Sequence, residues 1–258
     1  MYLKKRLGQH LLVAEPTLEK IVKTLAPTKN DTVLEIGPGT GRLTKYLIRH
    51  AGHVIAVEKD YEMVKELNAT FSISKNLTIV HADILEIDIE SILETSNALF
   101  CGNLPYNIST PILFKLRDRR TFLKRGVITI QKEVATRLVA VPGSKDYGIL
   151  SVLMQSVAHI KKMFDISPKS FIPPPKVTSS VVEIIFPSKP PHHIENQEFF
   201  TKVVKTAFSK RRKMIRNTIP KEWANLLHLA GIDSTRRPET ITISEYISLA
   251  CIVSGLKA

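Results

Sequence analysis

The stretch Val33-Leu-Glu-Ile-Gly-Pro-Gly-Thr-Gly41 decides the architecture. An apolar run with strand character, Thr32 to Ile36, ends in glycines at every second position, and a helical pattern follows from about Thr40 to His50. Glycine tolerates positive φ and lets the backbone approach a ligand, so a strand turning into a helix through such a loop is the first unit of an α/β fold. Taken alone, the loop is weak evidence, since an ordinary tight turn also uses such glycines.

The flanking sequence repeats the alternation. Upstream, Leu18, Ile21, Val22 and Leu25 fall at helical spacing and stop before Pro27. Downstream, strand Val54 to Val57 precedes a helix near Asp60 to Ala69, and strand Leu77 to Val80 follows. Strand Ala98 to Cys101 leads to a helix capped by Ser109 and running to Leu116. Strand Val127 to Ile130 then precedes helical Glu133 to Val139 and Tyr147 to Val157. This order predicts right-handed βαβ units and a mostly parallel sheet, covered on both faces, with ligands at the carboxyl ends of its strands.

The pattern then changes. His159 to Ile166 and Val177 to Phe186 read as two strands flanking Ser167-Pro-Lys-Ser-Phe-Ile-Pro-Pro-Pro175, which predicts an antiparallel hairpin with a stiff loop. Seven of the fifteen prolines lie between Pro168 and Pro191, and Pro187-Ser-Lys-Pro-Pro191 reads as a linker. Beyond it only helical patterns occur, around Phe199 to Phe208, Trp223 to Leu229 and Tyr246 to Val253. The expected organisation is an α/β domain over residues 1–188, with a basic N-terminal arm, and a small all-α domain over residues 189–258.

With 43% apolar and 24% charged residues the chain can bury a substantial core. Lys plus Arg exceed Asp plus Glu by 37 to 24, and this net +13 points to a polyanionic partner, nucleic acid before membrane. The last 70 residues carry +6 of that charge, at more than twice the density of the first 188. No segment approaches the ~20 apolar residues of a membrane span, and the N-terminus lacks the apolar core of a signal peptide, so the cytoplasm is the expected location. No second apolar face is evident, and a monomer is expected. Cys101 and Cys251 lie far apart without metal-ligand spacing, so no metal is expected.

Three successive strand ends carry groups suited to a ligand. Beyond the glycine loop, Glu58 ends the second strand, where α/β cofactor sites hold ribose hydroxyls, and Asp83 follows the third, where it can accept from an adenine amino group. Together they indicate a nucleoside-containing cofactor. A dinucleotide needs a pyrophosphate cradle, usually GxGxxG; here Glu35 stands two residues before Gly37, in ExGxGxG, and the pattern resembles the class I S-adenosylmethionine-dependent methyltransferases.

After the fourth strand comes Gly102-Asn-Leu-Pro-Tyr-Asn-Ile-Ser-Thr110, which places an amide, a rigid proline and an aromatic ring together. Asn103 to Tyr106 is similar to the motif of enzymes that methylate the exocyclic amine of adenine. That resemblance implies that the Asn103 side-chain carbonyl and the Leu104 backbone carbonyl accept the two N–H groups of the amine, while Pro105 fixes the turn and Tyr106 stacks on the base.

Further segments extend the resemblance: Lys5-Arg-Leu-Gly-Gln-His-Leu-Leu12, Gln131-Lys-Glu133, Phe171-Ile-Pro-Pro-Pro-Lys-Val177 and Ala207-Phe-Ser-Lys-Arg-Arg-Lys213. With the two motifs above they resemble, over essentially the whole chain, the small-subunit ribosomal RNA adenine dimethyltransferases. Those enzymes place two methyls on each of two adjacent adenosines near the 3′ end of 16S rRNA. The resemblance implies a Rossmann-like domain with S-adenosylmethionine as cofactor and the small ribosomal subunit or its precursor as partner. It also implies a cofactor site lined by His10, Leu12, Gly37, Gly39, Glu58, Asp83 and Asn103, with Phe171 closing on the base opposite Tyr106. His10 stands where many bacterial members have Asn.

Lys202, Lys205, Lys210, Arg211, Arg212, Lys213 and Arg216 form a cationic run that, beside Phe208, reads as a phosphate-contacting surface, and Lys4, Lys5 and Arg6 are expected to extend it. Two alternatives stay open at this level. One is a large-subunit rRNA adenine methyltransferase of the antibiotic-resistance type; the other is a ribosome assembly factor acting mainly by binding.

Overall fold

The computed structural model describes residues 10–93 and 96–255. Lys4, Lys5 and Arg6 lie outside them. The described chain forms two compact units, one comprising residues up to Ala135 together with His159–Ser188, the other Thr136–Ala158 together with the residues from Lys189 onward.

The first unit is built on a seven-stranded sheet. Its strands are β2 (Thr32–Ile36), β3 (His53–Glu58), β4 (Leu77–His81), β5 (Ala98–Asn103), β6 (Leu123–Gln131), β7 (His159–Ile166) and β9 (Ser179–Ile185), in the order β4-β3-β2-β5-β6-β9-β7. The first five strands in that order run parallel, while β9 is antiparallel to both β6 and β7. The expected parallel sheet with a terminal hairpin is therefore present. The central strands are buried along nearly their whole length, as Val33 to Ile36 and Ala98 to Cys101 show, because helices cover them. The chain leaves β2 toward β4 on one side and returns at β5 on the other. This reversal opens a crevice at the carboxyl ends of β2 and β5.

Helix α1 (Glu15–Leu25) starts with Pro16 in its first turn, buries Leu18, Ile21, Val22 and Leu25, and stops at Ala26 in a left-handed conformation. Helix α2 (Thr44–His50) begins four residues later than its pattern suggests. Gly37, Gly39 and Gly41 all have positive φ, so the turn extends through residue 43 before helical dihedrals can start. Helices α3 (Tyr61–Thr70), α4 (Ile89–Ile92) and α5 (Ser109–Asp118) follow, α3 being N-capped by Asp60. A pair that no periodicity announces joins β1 (Leu11–Leu12) to β8 (Phe171–Ile172), antiparallel, with Leu12 opposite Phe171.

Helix α6 (Lys132–Leu138) follows β6, and the second unit contains α7 (Ile149–Gln155), α8 (Gln197–Ala207), α9 (Lys221–Ala224) and α10 (Ile243–Ser254). Its membership differs from the expected division at residue 188, because 136–158 groups with the C-terminal helices. Burial explains it: Tyr147 is fully buried against Phe208, and Gly143 donates to the Glu239 carbonyl at 2.7 Å. The helix expected over Trp223 to Leu229 is instead a single turn, α9, followed by a 3-10 turn at Leu227–Ala230. Helix α10 is fixed by reciprocal Thr242 and Glu245 capping bonds. Among the described residues no helix is long and apolar enough to cross a membrane.

Candidate active site

The glycine turn and β5 form two walls of one crevice. Gly102 packs so tightly on β2 that an added Cβ would lie 2.3 Å from the Ile36 carbonyl oxygen, which brings Asn103 beside the turn. Glu58, at the end of β3, reaches back: Oε2 accepts from the Gly39 N–H at 3.0 Å and Oε1 from the Asp60 N–H at 2.9 Å. Burial pushes its carboxyl up, opposed by these backbone donors. Glu35 is fully buried and accepts from the Thr44 hydroxyl at 2.7 Å, tying β2 to the start of α2. Desolvation pushes its carboxyl up to about 8.

Asn103 is the centre of the arrangement. Its Nδ2 donates to the His10 carbonyl at 2.6 Å, while its Oδ1 is buried without a hydrogen-bond partner. Leu104 donates its N–H to the Thr129 carbonyl at 3.0 Å, which holds the following turn against β6. The Tyr106 hydroxyl bonds Ser179 Oγ at 2.6 Å, and burial raises its pKa, keeping the phenol neutral. The His10 ring stacks on Tyr106 with centroids 5.3 Å apart, and its Nδ1 lies 2.7 Å from the Pro173 carbonyl oxygen.

The structure therefore brings His10, Leu12, Gly37, Gly39, Glu58, Asn103, Leu104, Pro105 and Tyr106 to one crevice. Asp83 lines an adjoining cavity of about 180 Å³ with apolar walls from Val57, Ile84, Leu85 and Ile108. Both its oxygens are engaged, Oδ2 by Lys59 at 2.5 Å and Oδ1 by the Leu85 N–H at 2.9 Å. Phe171 does not join them. It is buried in the core with Leu12, Leu18 and Ile21, because its position in β8 faces inward, and His10 lies on Tyr106 instead. Sequence reasoning also missed Leu11, Lys59 and Thr129, of which only Lys59, between Glu58 and Asp60, carried a local signal.

In the second unit, Lys202 and Lys205 project from the exposed face of α8, and Lys210, Arg212, Lys213 and Arg216 are exposed in the turns after it. Arg211 is an exception: its guanidinium donates to the carbonyls of Lys145 and of Ser144 and faces Glu239, so it braces the fold. Phe208 packs between Tyr147 and Tyr246. The aromatic beside the cations is Phe199, which lies against Trp223 and under the Lys202 ammonium. Among the described residues no cluster of His, Cys, Asp and Glu could hold a metal ion.

This strand order, with a crevice at its reversal point, gives the chain the fold of the class I S-adenosylmethionine-dependent methyltransferases, and solved structures agree. A dimethyladenosine transferase from Plasmodium falciparum superposes with a TM-score of 0.81 at 25% identity, over 96% of this chain and 99% of that one. The 23S rRNA methyltransferase ErmE shares the fold, with a TM-score of 0.70 at 22% identity, over 93% and 98% of the two chains. The family model for ribosomal RNA adenine dimethylases matches residues 2–253, and the chain belongs to that family. Ribosomal RNA small subunit methyltransferase A of Nitrosospira multiformis is 41% identical over 95% of this chain and 94% of its own length. That of Geobacter sulfurreducens is 39% identical over 95% and 93%.

Proposed function

We propose that this protein transfers methyl groups from S-adenosylmethionine to N6 of two adjacent adenosines near the 3′ end of 16S rRNA, producing N6,N6-dimethyladenosines during small-subunit biogenesis. The observation that carries the chemistry is Asn103 Oδ1, an acceptor held in the crevice with no donor to satisfy it. A buried unpaired carbonyl is costly, and an exocyclic N–H is the donor that this position lacks.

The crevice fits the cofactor. Gly37 and Gly39 keep side chains out of the turn, the Glu58 carboxyl beside Gly39 is assigned the ribose hydroxyls, and the apolar cavity beside Asp83 suits a purine ring. When bound there, S-adenosylmethionine supplies an electrophilic methyl on a sulfonium, which departs as a neutral thioether. The chain's own task is to orient the amine. Its lone pair is delocalised into the ring, and two acceptors, Asn103 Oδ1 and the Leu104 carbonyl, hold its protons so that the nitrogen turns toward tetrahedral geometry. Pro105 stiffens that turn, and Tyr106, locked by Ser179 and carrying the His10 ring on one face, offers its other face to the base. The exposed cations on and after α8 contact phosphates, with Lys4, Lys5 and Arg6 adding to them.

The test is transfer of labelled methyl to purified small subunits, large subunits and an unrelated structured RNA, with the labelled nucleoside identified. N6-dimethyladenosine confined to small subunits is the expected result. Label in large subunits would indicate the resistance-type activity instead, and tight subunit binding without label an assembly factor.

A further inference from the structure

The segment between Phe171 and Ser179 presents an apolar ridge that neither the core nor the cofactor crevice uses. Phe171 and Ser179 are buried and anchor its ends, while Ile172 is 56% and Val177 43% exposed, and Pro173 and Pro174 are exposed between them. The ridge is held in register with the crevice. Ile172 lies opposite Leu11 in the β1–β8 pair, Val13 donates to the Ser170 carbonyl at 2.9 Å, and the Pro173 carbonyl meets His10. At its far end, the Ser179 hydroxyl bonds Tyr106.

Single exposed apolar residues are normal on protein surfaces, but three in succession, Ile172, Pro173 and Pro174, with Val177 exposed beyond the buried Pro175, mark a contact when they lie at the mouth of a site. Its neighbours suggest which kind. Lys169 precedes the ridge and Lys176 lies within it beside Val177, both exposed and neither in an ion pair among the described residues. Apolar surface interspersed with exposed cations matches a nucleic-acid strand, whose bases stack and whose phosphates attract ammonium groups. A target base must also leave its stack to reach Asn103, and Ile, Leu or Pro side chains inserted between base steps unstack them in other nucleic-acid complexes.

We propose that the exposed ridge from Ile172 to Val177 is an RNA wedge: it takes the stacking position beside the target adenosine, while Lys169 and Lys176 hold the flanking phosphates. The proposal rests on the reading of the crevice as an adenine N6 site. It assigns the ridge a partner, the nucleotides next to the modified adenosine, rather than a part in methyl transfer.

The test uses the full-length protein and small subunits lacking the modification. Ile172→Ser with Val177→Ser should lower kcat about 10-fold, the scale of one lost base stack, with S-adenosylmethionine affinity unchanged by calorimetry. Ile172→Val with Val177→Ile, which keeps the ridge apolar, should retain the rate. Lys169→Ala with Lys176→Ala should raise KM and flatten the salt slope by about 1.4. A photoreactive benzoylphenylalanine at position 172 should crosslink to rRNA immediately beside the methylated adenosines. Full activity of the double Ser variant, or crosslinks only at distant rRNA positions or none, would overturn the wedge. If the Ser variant folds poorly, the crosslink alone decides. If the wild type methylates no small subunit, the methyltransferase reading fails, and the crosslink still reports on the ridge.

Discussion

Asn103 and His10, 93 positions apart, are joined by a 2.6 Å hydrogen bond from the side-chain amide to the backbone carbonyl. The bond fixes the amide orientation, since Nδ2 must face His10, and this leaves Oδ1 pointing away, buried and unpartnered. The N-terminal arm thereby sets the direction of the acceptor that the chemistry requires.

Asn103→Ala removes both the donor to the His10 carbonyl and the unpartnered acceptor Oδ1. Methyl transfer should fall at least ~10²-fold, the scale of losing one preorganised hydrogen-bonding group, while cofactor affinity stays within a few fold. Single-turnover transfer beside calorimetric titration with S-adenosylmethionine would check it; wild-type rates in the variant would remove Asn103 from the mechanism.

Glu58→Ala should act on the other half of the site. It deletes the acceptor for the Gly39 and Asp60 N–H groups and, in the proposed complex, for the ribose. Loss of a charged hydrogen-bonding group of about 1.5–3 kcal/mol predicts cofactor binding weakened roughly 10- to 100-fold, readable by the same titration.

Glu35 gives a pH signature. Its folded pKa of about 8 lies above the ordinary 4.5, so the folded chain keeps a proton that the unfolded chain releases. Its contribution to stability is fully present below pH 4.5 and is lost as the pH rises through about 8. Glu35→Gln, which mimics the neutral acid, should gain stability relative to wild type across that window, by at most about 1.4 kcal/mol per pH unit. Denaturant unfolding at pH 5, 6.5 and 8 would show it; a constant difference would mean that Glu35 is ionised in the fold.

Gly102→Ala tests how tightly β5 must lie on β2. The new Cβ meets the Ile36 carbonyl oxygen at 2.3 Å, backbone that cannot swing aside as a side chain would. A loss of about 1–3 kcal/mol is expected from overpacking, together with reduced transfer as Asn103 shifts. Thermal unfolding and activity measured on the same preparation would separate the two effects.

The cations of the second unit should divide by geometry. Lys202→Ala and Lys205→Ala should leave the melting temperature unchanged and flatten the salt dependence of RNA binding by about 0.7 each. Arg211→Ala should instead lower the melting temperature by about 4 °C, as expected for lost backbone contacts worth ~1–2 kcal/mol, with the salt slope retained. Binding titrations at several salt concentrations would reveal either pattern.

What the sequence determined by itself is what short-range pattern encodes. The alternating apolar runs specify the strands and helices, the three glycines specify a turn with positive φ, and Asn-Leu-Pro-Tyr after an apolar strand specifies where the chemistry sits. Each of these depends on residues within a few positions of one another. The tertiary structure alone decided the rest. Two-residue strands such as Leu11–Leu12 and Phe171–Ile172 have no period to detect, and their pairing decides that Phe171 turns into the core while Ile172 faces solvent. Likewise, whether an arginine in a basic run meets water or bridges Ser144 and Lys145 depends on carbonyls more than sixty positions away. The face a side chain takes follows from the register of a distant partner, and local periodicity carries no information about that register.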